Sequence, residues 1–376
     1  MKRVEGTSNI AKSVMVVSLL FLLSLTISLP PMSYAQTKIR MQSSFAPKGT
    51  FADCAAFFAE RVKALSGGRL QIELIPTGAI VPAFEVLDAV HKKVLDAGQT
   101  SPAYWVGKNR AAALFGVSPS GPFGMDGFDY MGWLYDGGGL ALYNEFYQDV
   151  LKQNVIPFPM TSAGPQALGW FKKPVNSWAD LKGLKCRQTG ISAEVYAKGG
   201  MKTVNIPGGE ILAAGERGVI DCAEWVGPAD DELMGFQTVW KHFYTQSFHD
   251  LSVLEIIING DVWKSLTPEF QAIIQSASVE ATLRSFHTRN RLNAAALKEM
   301  VTKHKVIVHA TPDDILKKSL ESWDQIAKEE YAKNPFFRKV YDSQRAYAAQ
   351  VVPSRRTTSP AYNFAADYYW PKPKQK

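Results

Sequence analysis

Between Thr37 and Val94 the hydrophobic period switches repeatedly, and this switching constrains the fold more than any other feature of the chain. Ile39 and Met41 alternate with polar neighbours, as in a half-buried strand. Phe51, Cys54, Phe58, Val62 and Leu65 then recur at helical spacing, and Gly67-Gly68 stops that helix. Leu70, Ile72 and Leu74 alternate again up to Pro76, and Pro82 to Val94 returns to helical spacing through Leu87 and Val90. A strand–helix–strand–helix order implies an α/β fold with a parallel sheet and crossover helices.

Further along, Gly116 to Gly139 is rich in Gly, Pro and aromatic residues and reads as a loop leading into a helix at Leu140 to Leu151. Gly137-Gly138-Gly139 lacks both the Lys-Ser/Thr of a P-loop and GxGxxG spacing, so it reads as a flexible turn. Val155 to Met160 opens a second lobe, with strands at Leu168–Phe171, Leu184–Arg187 and Ile220–Trp225 and short helices at Ser192–Gly199 and Gly209–Gly215. The apolar run Phe248 to Asn259 is expected to return to the first lobe. Thr267-Pro268-Glu269 combines an N-cap with proline at the first helical position, starting a helix to about Lys303 that is long enough to brace two lobes. Lys305 to His309 reads as a strand, Thr311-Pro312-Asp313 starts another helix, and Pro335 starts a last one to Gln350 before a tail of little regular structure. The expected division is lobe I over residues 36–157 with 248–285, lobe II over 158–247 with 286–334, and a C-terminal helix and tail over 335–376. A chain that crosses between lobes more than once forms a hinge.

The first 35 residues read as a cleaved signal peptide. Lys2, Arg3 and Lys12 make a basic start, Ser13 to Ser28 is almost wholly apolar, and Ser33-Tyr34-Ala35 is a small-x-small cleavage site. The apolar run falls short of the ~20 residues of a spanning helix. The chain is therefore expected to be exported to the periplasm, without a lipid-anchoring cysteine in the leader. Its net charge of +7 is mild and dispersed, and no basic stripe with interleaved aromatics points to nucleic acid. Cys54, Cys186 and Cys222 are an odd set without CxxC spacing. Cys186 and Cys222 can pair if their strands are neighbours; the plainer expectation is three buried thiols.

Two charged residues end apolar, strand-like runs: Arg187 after Leu184-Lys185-Cys186, and Glu224 after Ile220-Asp221-Cys222-Ala223, with Trp225 next. A guanidinium at a strand end can give two parallel hydrogen bonds to one carboxylate. From sequence alone the plainer reading of Arg187 is a surface arginine paired with an acid, since surface arginines are common. A near-buried carboxylate such as Glu224 needs a cation or donors. No HExxH, no Gly-x-Ser-x-Gly and no evident general base accompany them, which argues against an enzyme. Asp230-Asp231-Glu232 reads as a solvated helix start. Gln42, Ser43, Ser44 and Phe45, after the first strand, are candidates to line a cleft.

The segment Ala179-Asp180-Leu181-Lys182-Gly183-Leu184-Lys185-Cys186-Arg187 resembles the most recognisable segment of the solute-binding subunits of tripartite ATP-independent periplasmic (TRAP) transporters. The likeness extends over nearly all of the chain after the leader. Gly78 to Val90, Ala103-Tyr104-Trp105-Val106-Gly107-Lys108 and Thr245-Gln246-Ser247-Phe248-His249 are similar to the branch that binds α-keto acids and related monocarboxylates. The resemblance implies a two-lobed periplasmic binding protein with a central cleft and no catalytic residue, and it selects Arg187 as the ligand's carboxylate clamp. It implies that Tyr104 hydrogen-bonds the ligand. It also implies that the Glu224 side chain and the Trp225 carbonyl, with Gln166 and Gln246 as neutral oxygen donors, hold a metal ion bridging to the ligand carboxylate. Such an all-oxygen shell suits Na⁺ or Ca²⁺. The ligand is then a small, pyruvate-like 2-oxo or 2-hydroxy monocarboxylate. The partners are the membrane permease subunits and a second copy of the chain that exchanges the aromatic-rich C-terminal helix. Rival readings are an exported enzyme acting on small carboxylates and a free-standing chemosensory module.

Overall fold

The computed structural model describes residues 36–118, 121–162, 166–249 and 251–371. The expected signal peptide, residues 1–35, lies outside them, as do Gly164 and Pro165. In chain order the strands are β1 (Thr37–Ser43), β2 (Leu70–Ile75), β3 (Ala97–Thr100), β4 (Val117–Ser118), β5 (Val155–Ser162), β6 (Gly169–Phe171), β7 (Lys185–Arg187), β8 (Lys202–Val204), β9 (Cys222–Ala223), β10 (His242–Tyr244), β11 (Leu251–Asn259) and β12 (Ile307–His309). The helices used below are α1 (Thr50–Leu65), α2 (Val86–His91), α3 (Gly127–Tyr135), α4 (Gly139–Glu145), α5 (Ile191–Ala197), α6 (Ile211–Glu216), α7 (Pro228–Leu233), α8 (Pro268–Thr302), α9 (Asp313–Lys333), α10 (Pro335–Thr358) and α11 (Tyr362–Tyr369).

Two six-stranded sheets organise the fold. The first runs β2-β1-β3-β11-β4, with β5 also on β11; the second runs β12-β10-β6-β9-β7-β8. This is the two-lobed α/β architecture expected, but the sheets are mixed. β1 and β3 are parallel, whereas β11 runs antiparallel to β3, β4 and β5. The expected boundary after residue 157 falls inside β5, which belongs wholly to the first sheet. β3 is a strand that the alternation rule misses, because all four of its residues are buried. The stretch expected as a loop after Gly116 instead contains α3, started by an Asp126–Asp129 capping box.

The long helix begins where its N-cap predicts, with the Thr267 hydroxyl accepting from the Phe270 amide. Phe270, Ile274, Ala277 and Ala281 enter the core around β1, β5 and β11. Met300 enters the core that holds Trp170, Trp240 and Phe243 beside the second sheet. One rigid rod is thereby shared by both halves.

The C-terminal region departs from the sequence reading in its helix length and its tail. Phe336, Phe337 and Val340, in the segment 335–350 expected to be exchanged with a second copy, are buried in the core of their own chain. The helix also continues past Pro353, and α11 forms in the expected tail. Among the described residues no helix is long and apolar enough to cross a membrane.

Candidate functional site

Strands β7 and β9 lie side by side and parallel, with Cys186 opposite Cys222 and Arg187 opposite Ala223. The two cysteines, 4.5 Å apart at Cα, form a disulfide, correcting the expectation of buried thiols. The cross-link staples together the two strand ends that carry Arg187 and Glu224. Gly169 lets β6 press against the same place: at φ +118°, a Cβ there would lie 2.3 Å from the Ala223 carbonyl oxygen.

Arg187 is 1% exposed. Its Nη1 donates to the Glu224 carboxylate (2.8 Å) and backbone carbonyl (2.6 Å), and its Nε to the Ile206 carbonyl (3.3 Å). The guanidinium lies 5.2 Å from the Trp225 ring centroid. Among the described residues Nη2 has no hydrogen-bond partner. Burial pushes the Glu224 carboxyl up to about 7, with Arg187 acting in the opposite direction. Tyr104 faces the same space; burial, opposed by Arg187, pushes its phenol up to about 12, so it remains a donor at neutral pH.

These groups surround a cavity of about 40 Å³ lined by Tyr104, Gln166, Arg187, Glu224 and Trp225. Five of the six residues selected from the sequence therefore converge. Gln166 is buried, and among the described residues its Nε2 has no partner. Gln246 does not join them. It is exposed, its Oε1 accepts from the Thr311 amide (3.0 Å), and its carbonyl accepts from Leu168 and Thr311. β10 ends two residues earlier, and the chain turns Gln246 toward the start of α9. Gln42 is also spent elsewhere, with its amide holding the backbone of Ile80 and Val81. Ser43 binds Gln99, Ser44 binds Ala83 and Thr100, and Phe45 packs behind Phe51, so none of the four lines the cavity.

Thr189, Ser192 and His249 were not singled out from the sequence, yet they line it. The hydroxyls of Thr189 and Ser192 are buried and have no partner among the described residues. Their one sequence signal is position, just beyond the end of β7, where side chains of α/β folds converge on ligands. His249 is buried and stays neutral, its imidazole pulled down to about 3 by burial, with Nδ1 2.9 Å from the Ser247 hydroxyl. Phe51, Val226 and Leu254 give an apolar wall. Among the described residues that line the cavity Arg187 is the one cationic side chain, and Glu224 is paired with it.

The Asp230–Glu232 run is not a solvated helix start. Asp231 is fully buried, accepting from the Trp170 indole (2.8 Å) and the amides of Val226 and Gly227, and burial pushes its carboxyl up to about 7. Asp230 is buried against Thr50.

The cavity thus sets one arginine–glutamate pair among the polar groups of Tyr104, Gln166, Thr189 and Ser192 and an apolar wall. Residues 42–334 match the bacterial extracellular solute-binding protein family 7, DctP, and the chain belongs to that family. It is a transporter's solute-binding protein of the TRAP type, not an enzyme. It is 37% identical over 331 residues to a monocarboxylate 2-oxoacid-binding periplasmic protein of Nostoc sp., covering 87% of this chain and 88% of that one. A TRAP solute-binding protein from Pseudoalteromonas atlantica, crystallised with sodium and pyruvate, superposes with a TM-score of 0.82 at 30% identity, over 88% of this chain and 99% of that one. One from Bordetella bronchiseptica, a mixed-occupancy dimer with calcium and picolinate in one site, gives 0.83 at 29%, over 89% and 99%. An apo open one from Rhodobacter sphaeroides gives 0.64 at 27%, over 83% and 98%.

Proposed function

We propose that the protein captures a small 2-oxo or 2-hydroxy monocarboxylate, such as pyruvate, together with one hard cation, and delivers it to a TRAP permease from the periplasm. The observation that carries the ligand class is the set of buried polar groups left without partners around Arg187: Gln166 Nε2, Thr189 Oγ1 and Ser192 Oγ. Such groups are costly unless something occupies the cavity. The cavity's size favours a short ligand. At roughly 10–15 Å³ for each water, about 40 Å³ holds only a few atoms' worth of solvent. One cation, already paired, also disfavours a second carboxylate on the ligand.

The donor set fits a resident metal. Glu224 offers a carboxylate, Gln166 an amide oxygen and Trp225 a backbone carbonyl, all oxygen donors of the kind Na⁺ and Ca²⁺ take, while the unmet Gln166 Nε2 is left as a donor for the ligand. The metal would supply the positive charge that the Arg187–Glu224 pair lacks. Arg187 Nη2 then grips the ligand carboxylate, Tyr104 donates to it, and Phe51, Val226 and Leu254 cover its alkyl end. The superposition supports a closed cleft: scores are 0.82 and 0.81 on relatives crystallised with pyruvate and 0.64 on the open apo relative, at similar identity.

We also assign two lobes, one around each sheet, and a homodimer. Tyr362, Phe364, Tyr368, Tyr369 and Trp370, on and just after α11, are each at least 71% exposed, an apolar surface that a second copy would cover. Mass spectrometry of ligand released from freshly purified protein tests the reading. A short 2-oxo or 2-hydroxy monocarboxylate supports it; a dicarboxylate, a sugar or an amine overturns the ligand assignment. Light scattering should give twice the chain mass, falling to one after truncation before Tyr362.

A further inference from the structure

A second buried charge cluster lies beside the cavity without entering it. Both oxygens of the Asp230 carboxylate on α7 are taken by Thr50, the first residue of α1: the amide at 2.7 Å and the hydroxyl at 2.8 Å. Arg289 of α8 donates from Nη2 to the same hydroxyl (2.7 Å), and its Nη1 lies 3.7 Å from Asp230. Asn293, one turn on, accepts from the Ala229 amide and seats α7 on the long helix. All three members of the cluster are nearly inaccessible, at 6%, 5% and 1% exposure for Thr50, Asp230 and Arg289. The approach is close enough to demand glycine at position 49, where a Cβ would stand 2.4 Å from the Asp230 oxygen and φ is +95°.

The cluster joins elements that belong to different sheets. α1 follows β1 of the first sheet, and α7 follows β9 of the second. Immediately next to Thr50, Phe51 lines the cavity; its ring meets that of Trp225 edge-on at 6.0 Å. The ligand space therefore sits directly behind the Thr50–Asp230 contact. A buried ion pair adds little net stability, since water solvates both charges well when it opens, and its best-attested use is in fixing a register or a switch. A contact of near-zero net cost, spanning the two sheets at the wall of the cavity, suits a closure that must reopen.

We infer that Thr50, Asp230 and Arg289 form a clasp that holds the two lobes shut over the ligand and sets its rate of release, with Asp230 as a positioning residue that never touches the ligand. This rests on the reading of the cavity as a ligand cleft. The test compares wild type with Asp230→Asn and Thr50→Val, the second of which keeps Arg289 paired with Asp230 if the first folds poorly. With pyruvate and Ca²⁺ or Na⁺ as the probe, stopped-flow binding should show koff raised about tenfold with kon within about threefold, since such contacts act mainly on dissociation. Unchanged koff in both variants overturns the clasp and leaves the ligand assignment standing. Should wild type bind no 2-oxo acid, the ligand assignment fails, and small-angle scattering still decides the clasp. Both variants should have a larger radius of gyration than wild type, and equal values overturn it.

Discussion

Glu224 and Glu255 are both buried, and burial pushes both carboxyls up to about 7, but their surroundings differ. Glu255, on β11, receives hydrogen bonds from the hydroxyls of Tyr143 and Tyr147 and from the Trp105 indole (3.3 Å). Its cluster is complete, and it ties α4 and the turn carrying Trp105 to the returning strand. Glu224 has Arg187, and around the pair stand Gln166, Thr189 and Ser192 with polar atoms unmet. A shifted carboxyl therefore does not mark function by itself. Unmet neighbours around an accessible space do.

The contrast breaks most sharply at Arg187. Arg187→Ala leaves a ligand carboxylate short of a partner, a loss of about 3–5 kcal/mol for a buried ionic contact. Affinity for pyruvate should fall on the order of a hundredfold or more by calorimetry. Glu255→Gln should leave that affinity within about threefold, and a larger loss would put Glu255 in the site after all.

What Glu255→Gln should change is the pH dependence of stability. Between the ordinary glutamate value near 4.5 and about 7, the folded protein keeps a proton that the unfolded chain has released. Stability then falls as pH rises through that window and levels off above it. At ~1.4 kcal/mol per unit, the contribution is on the order of 3 kcal/mol. Urea unfolding at pH 4.5 and pH 8 should show a smaller loss in the variant than in wild type; parallel curves would contradict the assigned shift. The smallest effect is expected at the two hydroxyls. Thr189→Val and Ser192→Ala each remove one neutral hydrogen bond, so affinity should drop about threefold to tenfold, with the unliganded protein as stable as wild type or slightly more. No loss of affinity would mean that these hydroxyls do not meet the ligand.

The same comparison shows what the sequence could express. Arg187 and Glu224 drew attention because each ends a short apolar run, but the family resemblance was needed to choose a ligand role for Arg187 over a surface ion pair and to give Trp225 a role. Tyr104 and Gln166 needed the family resemblance. Gln246 misled because Thr311, the residue that occupies its amide, lies 65 positions downstream. Asp230 and Asp231 looked solvated for the same reason: Thr50 and Trp170 meet them only in the fold. Glu255 sat unremarked in an apolar run, since its three donors come from two distant segments. Partnership over long separations is the property that local pattern does not carry.

The central claim is that Arg187 and a hard cation share one small carboxylate. Its most direct test is a calorimetric titration of pyruvate into protein freed of metal, repeated with Na⁺ or Ca²⁺ restored and again with Glu224→Gln. The account requires weak binding without metal, recovery on adding one of the two ions, and no recovery in the variant. Equal affinity in all three, with elemental analysis confirming that the metal was gone, would contradict it.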